Sequence, residues 1–194
     1  MNNQRESIHA RLRRSADTIN KIPIGQTFNV YQALDAQREI GLPVWVMGNG
    51  GSLSNAQHLV LHLRQAGFEV VDLMSDPAWL SAESNDRGYH GAIVRGFDHY
   101  RSPGAIVLIS GSGNSLNCLD IARHFKRPEF VSGPEIVGLL GMGGGRLKKF
   151  CSASVTVPSN QYAEIEDAHA AIIHAVVNEL GAPIYGPMSE NFGQ

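Results

Sequence analysis

Two cysteines in 194 residues, Cys118 and Cys151, provide neither a disulfide framework nor thiolate pairs at metal-binding spacing. Long apolar runs are absent, so no segment reads as a membrane span, and no signal peptide is recognisable. Charge of one sign is lacking too. A formal net charge of −2 gives no electrostatic reason to expect nucleic acid or an anionic membrane as partner. These absences leave a cytoplasmic globular protein as the expectation. The length suits one domain over 1–194, with N-terminal helices over 1–42, a sheet-and-helix body over 43–181 and an irregular tail over 182–194. What the chain has in plenty is glycine, 21 residues, much of it in short runs that follow apolar strands.

The rest is organised around Pro43–Leu63. Val44–Met47 is an apolar run of the kind a buried strand shows. Gly48-Asn49-Gly50-Gly51-Ser52 follows as a turn, then a helical pattern in which Ala56, Leu59, Val60 and Leu63 share a face. A strand, a glycine-rich turn and a helix in that order present unpaired N–H groups and the positive end of a helix dipole, which is an anion site. On the same helix His58 and His62 stand four apart, so their rings project from one face.

Elsewhere, helices are expected over Arg5–Ile22 and Val30–Ile40, and a second strand over Phe68–Leu73. Ser75-Asp76-Pro77 is a helix-start signal. Asn85–Tyr89 reads as a loop leading into a helix that runs to about Tyr100. Ala105–Ile109 is a third strand, ending in Ser110-Gly111-Ser112-Gly113-Asn114-Ser115 before a helix over Leu116–Phe125. Ile136–Leu140 is a fourth strand, followed by the turn Gly141–Gly145 and a short helix over Arg146–Phe150. Ser154–Val157 is a fifth strand, and a long helix over Ala163–Leu180 carries His169 and His174. Strands alternating with helices predict an α/β fold, a parallel sheet with helices on both faces and ligands beyond the carboxyl ends of the strands. Dinucleotide binding is the rival for the opening turn. It needs a third glycine where this chain has Leu53, although Asp72 stands near the position of the ribose-binding acid.

The second turn is the more informative. Ser110, Ser112, Asn114 and Ser115 offer hydroxyls and N–H groups within six residues, neutral donors that suit a phosphate monoester. Ordinary capping serines remain the alternative.

GNGGSLSNAQH from Gly48, SNDRGY from Ser84, ISGSGNS from Ile109 and the stretch Tyr162–His174 together resemble the sugar isomerase (SIS) domain family, and within it the phosphoheptose isomerases. The resemblance covers Val44–Leu180 and its motifs come in the family's order. It implies a five-stranded parallel sheet in a flavodoxin-like three-layer sandwich with extra N-terminal helices. It also implies a homotetramer with active sites between subunits, and conversion of sedoheptulose 7-phosphate to an aldoheptose 7-phosphate. By the same resemblance Ser110, Ser112, Asn114 and Ser115 hold the phosphate, Asn49, Gly50 and Ser52 contact sugar or phosphate, and Asp86 contacts substrate.

The family's zinc ligands are a His and a Glu four apart on the helix after the first turn, and a Gln and a His eight apart on the last helix. Here the resemblance implies His58, His62, Glu166 and His174 as the quartet. Histidines and a carboxylate on two facing helices also suit a four-coordinate zinc ion on chemical grounds. Polar-face or interface histidines are the plainer alternative. His62 stands where the family has its catalytic glutamate, which leaves Glu166, His174 and His62 as catalytic candidates, with Glu166 the preferred base. The family's arginine is absent, its position being Ala66, with Arg64 as a possible substitute. The competing function is a non-catalytic SIS module that binds a sugar phosphate or a protein such as a replication initiator.

Overall fold

The computed structural model describes residues 2–128, 130 and 132–184, so most of the expected irregular tail lies outside the described residues. Helices α1 (Asn2–Ile19), α2 (Ile24–Asp35) and α3 (Gln37–Ile40) precede β1 (Val44–Gly48) and α4 (Gly51–Gln65). Then come β2 (Val70–Asp72), α5 (Pro77–Arg87), α6 (Tyr89–Arg95), β3 (Ala105–Ser110) and α7 (Leu116–Phe125). β4 (Glu135–Leu140), β5 (Ala153–Thr156) and α8 (Tyr162–Glu179) complete the order.

The five strands form one parallel sheet in the order β2-β1-β3-β4-β5. Side chains alternate across a strand, so the central strands β1, β3 and β4 each feed two cores. Val44, Val46, Val107, Ile109, Val137 and Leu139 pack beneath α2, α4 and α8. Trp45, Met47, Ile106, Leu108 and Ile136 pack beneath α6 and α7. Burial on both faces is why the strands read as continuous apolar runs rather than as alternating ones.

The expected five strands and the flanking helices are present, with shifts at their edges. The second helix starts at Ile24 rather than Val30, because Pro23 supplies its extended N-cap, and it breaks at Ala36 into the separate turn α3. The loop expected at Asn85–Tyr89 is corrected: Asn85, Asp86 and Arg87 finish α5, and only Gly88, at φ 87°, separates it from α6. Asp76 caps α5 by accepting from Trp79 N at 2.9 Å, as the Ser-Asp-Pro signal predicts.

Candidate functional site

In the order 2-1-3-4-5 the progression of the strand order reverses between β1 and β3, the point at which an open α/β sheet forms its ligand crevice beyond the carboxyl ends of the strands. The first turn follows β1 and the second follows β3, so the fold puts both on this crevice. β1 can end in so tight a turn because residue 48 is glycine: a Cβ there would collide with the Ser52 carbonyl in the first turn of α4. Gly50 caps α4 without a side chain, and although Leu53 N bonds back to the Gly50 carbonyl at 2.9 Å, the Gly51 and Ser52 amides of the first turn remain available.

The two turns are tied together by a reciprocal amide pair. Asn49 Nδ2 donates to Asn117 Oδ1 at 3.0 Å, and Asn117 Nδ2 donates back to Asn49 Oδ1 at 2.8 Å. Tyr89, the first residue of α6, adds its hydroxyl to Asn49 Oδ1 at 2.7 Å. Asn117 is buried in the first turn of α7. Asn117 lies outside the sequence motifs, its only signal being a buried amide on an otherwise apolar helix face, whereas Tyr89 closes the Ser84–Tyr89 motif without a role being read for it.

In the second turn Ser110 Oγ lies 3.1 Å from Ser115 Oγ and accepts from Gly113 N at 3.1 Å. Ser112 Oγ accepts from Asn114 N at 3.2 Å. Ser115 is the N-cap of α7, and its hydroxyl pairs with Ser110 rather than capping the helix, which leaves the main-chain N–H groups of Leu116 and Asn117 to face an anion. Ser52 is buried at the start of α4. Asp86 stands exposed in the last turn of α5 and accepts from Asn85 Nδ2 at 3.0 Å.

Three of the four residues expected to ligate an ion come together, and Glu166 is not among them. Among the described residues, His58, His62 and His174 bring their ligand nitrogens within 4.8 Å of one another. His58 Nε2 is 2.7 Å from His174 Nε2 and 3.2 Å from His62 Nε2. Glu166 is elsewhere. Its carboxylate lies against Gly51, and its main-chain carbonyl accepts from Asn55 Nδ2 at 3.0 Å. The reason is helical geometry: α4 and α8 run side by side in one direction, and eight residues of α8 place Glu166 and His174 about 12 Å apart along the axis. Glu166 therefore belongs to the start of α4, beside the first turn, and the histidines sit about two turns further on.

The trio fits a divalent ion. The His58–His62 separation is close to the roughly 3.4 Å between two imidazole nitrogens on one zinc ion, and the His58–His174 separation is shorter. His62 Nδ1 meets Gln65 Oε1 at 2.8 Å; as an amide oxygen can only accept, Nδ1 carries the hydrogen and Nε2 presents its lone pair to the cluster. Burial, followed by the neighbouring His62 and His174, lowers the His58 pKa and keeps its ring neutral, the state that ligates. A cleft of about 390 Å³, lined also by Gln65, Pro183 and Ile184, opens onto the three rings. Arg64, the possible substitute for the family's arginine, donates instead to the Val70 carbonyl at 3.2 Å.

His169 is fully buried and takes no part. Its Nε2 donates to the Leu140 carbonyl at 3.2 Å, and desolvation lowers its pKa to about 4.

No family model matches the chain. Curated relatives do. A phosphoheptose isomerase of Nitratiruptor sp. is 31% identical over 183 residues, 87% of this chain and 94% of the relative. A phosphoheptose isomerase of Geobacter sp. is 35% identical over 153 residues, 74% of this chain and 76% of the relative. Among solved structures, phosphoheptose isomerase GmhA from Neisseria gonorrhoeae superposes with a TM-score of 0.80 at 24% identity, covering 93% of this chain and 99% of that one. A phosphoheptose isomerase from Francisella tularensis gives 0.76 at 22% identity, covering 92% and 96%.

Proposed function

The chain belongs to the phosphoheptose isomerase family, and from that membership we propose that it interconverts a ketose and an aldose phosphate of the sedoheptulose 7-phosphate type. The observation that carries the assignment of the site is the meeting of the first and second turns across the β1/β3 crevice, clasped by Asn49 and Asn117. Such a crevice holds a small anionic ligand between two helix N-termini.

In this reading Ser110, Ser112, Asn114 and Ser115, with the start of α7, bind the phosphate, and Asn49, Gly50 and Ser52 meet the sugar. The reaction moves a proton between adjacent carbons through an ene-diol, so a base must stand beside the sugar. Glu166 suits that role: its half-buried carboxylate adjoins Gly51 at the head of the first turn. The catalytic candidates His62 and His174 are less suited, because an imidazole whose lone pair is given to a metal cannot take a proton. His58, His62 and His174 would hold a divalent ion, zinc being the natural choice for three imidazoles. When bound, such an ion supplies Lewis acidity.

Two further readings go with this one. Residues 1–194 act as a single cytoplasmic domain; among the described residues no helix is long and apolar enough to cross a membrane. The chain assembles as a homotetramer through α1 and α2, whose Ile8, Leu12, Ile24 and Phe28 are all more than half exposed.

Assays of ketose-to-aldose conversion across five-, six- and seven-carbon sugar phosphates test the function. The seven-carbon ketose should give the highest kcat/KM. Conversion of none of them would overturn the enzyme reading in favour of a binding module.

A further inference from the structure

The third glycine turn, Gly141–Gly145, has no part in the site described so far. Its packing gives it one. It is pressed against the second turn so closely that side chains are excluded at the contact: a Cβ on Gly113, itself at φ +61°, would collide with the Gly144 carbonyl. A Cβ on Gly145 would collide with the Ser112 carbonyl. Leu147 N donates to the Gly113 carbonyl at 2.9 Å and locks the two turns together. The residue delivered by this stack is Arg146. Both its main-chain N–H and its Nε donate to Asn114 Oδ1, each at 3.2 Å. Asn114 in turn donates through Nδ2 to the Ser112 carbonyl at 2.9 Å, so the guanidinium is fastened to the tip of the serine turn.

We propose that Arg146 is a phosphate-recognition residue, carried to the second turn by the third, which gives the site a permanent cation and a preference for dianionic phosphomonoesters. The inference rests on the second turn being the phosphate site. The serines and amides alone are neutral donors, equally suited to any oxyanion. The Asn114 contact is to a neutral amide, so it orients the guanidinium without neutralising it. With Nε engaged, the two Nη groups keep their hydrogens for a second acceptor, in the fork geometry that matches two oxygens of one phosphate. The glycine run is then explained by function: a residue with a side chain at 113 or 145 would push the two turns apart and carry Arg146 away.

The test uses the full chain with inorganic phosphate and a ketose phosphate as probes, Kd being read by calorimetry and KM and kcat from the isomerase assay. Arg146 is exposed, so Arg146→Ala should keep the melting temperature, raise Kd for phosphate by about 10- to 100-fold and raise KM with little change in kcat. Its binding should also depend less steeply on salt. Arg146→Lys should recover part of the affinity, through charge without the fork. A parallel Ser112→Ala/Ser115→Ala variant separates the two claims. If that variant loses phosphate while Arg146→Ala binds within twofold of wild type, the role of Arg146 is overturned and the phosphate site stands. If the serine variant binds phosphate as wild type does, the second turn is not the phosphate site and both fall.

Discussion

The carboxylate of Glu166 lies so close to Gly51 that a single methyl at residue 51 would occupy its place. That contact fixes where the chain's candidate base stands. It is at the positive end of α4, where an anionic side chain is stabilised, and beside the turn that would meet the sugar. It also holds the Glu166 carboxylate apart from the three clustered histidine nitrogens. Gly51→Ala should therefore leave the histidine trio intact, displace the carboxylate and lower kcat by about 10-fold or more. Unchanged kcat in a folded Gly51→Ala protein would detach Glu166 from catalysis.

Glu166→Gln should retain the ion, since the carboxylate is not among the clustered ligands. Turnover should fall by about 10²- to 10⁴-fold, the usual contribution of a general base. Metal content by mass spectrometry of the native protein and steady-state rates read the two effects separately. Loss of the ion in this variant would restore the quartet.

Zinc should raise the melting temperature of chelator-treated protein, by the equivalent of about 2.7 kcal/mol when free ion is a hundredfold above Kd. His174→Ala and His58→Ala should each abolish that shift, because each removes one of the three nitrogens that converge. A zinc-dependent shift that survives in His174→Ala would place the ion elsewhere.

Asn117→Ala should cost about 1–3 kcal/mol by stranding the Asn49 amide in the crevice wall. KM should rise as well, since Asn49 would no longer be held by α7. Urea unfolding and substrate titration measure the two effects.

His169 gives the fold an acid sensitivity. Its pKa is lowered from 6.5 to about 4 by burial, so between those values the unfolded chain takes up a proton that the folded chain refuses. Stability is then full above pH 6.5 and falls as pH drops towards 4, by about 3 kcal/mol for this group. His169→Gln, which keeps a donor for the Leu140 carbonyl, should flatten the profile over that window. The comparison is made in chelator, so that ion release from the trio does not contribute. Identical pH profiles for the two proteins would show that His169 is not responsible.

Much of this protein is legible in its sequence. Apolar runs buried on both sheet faces announce their strands directly, because nothing but a two-sided core tolerates Val44–Met47 or Ala105–Ile109. Glycine and serine turns mark the strand ends because only small residues allow a helix to begin so close to a strand. The i, i+4 spacing of His58 and His62 alone puts both rings on one face. Relations between elements that are distant in the chain were decided by tertiary packing. Asn49 and Asn117 are 68 residues apart, and no local pattern pairs them. The α4–α8 register, which gives His174 to the trio and Glu166 to Gly51, follows from side chains interlocking between two helices that the sequence lists separately. A helix rises about 1.5 Å per residue, so spacing along α8 could suggest which residues face α4, and only the packed pair determined which of them share a site.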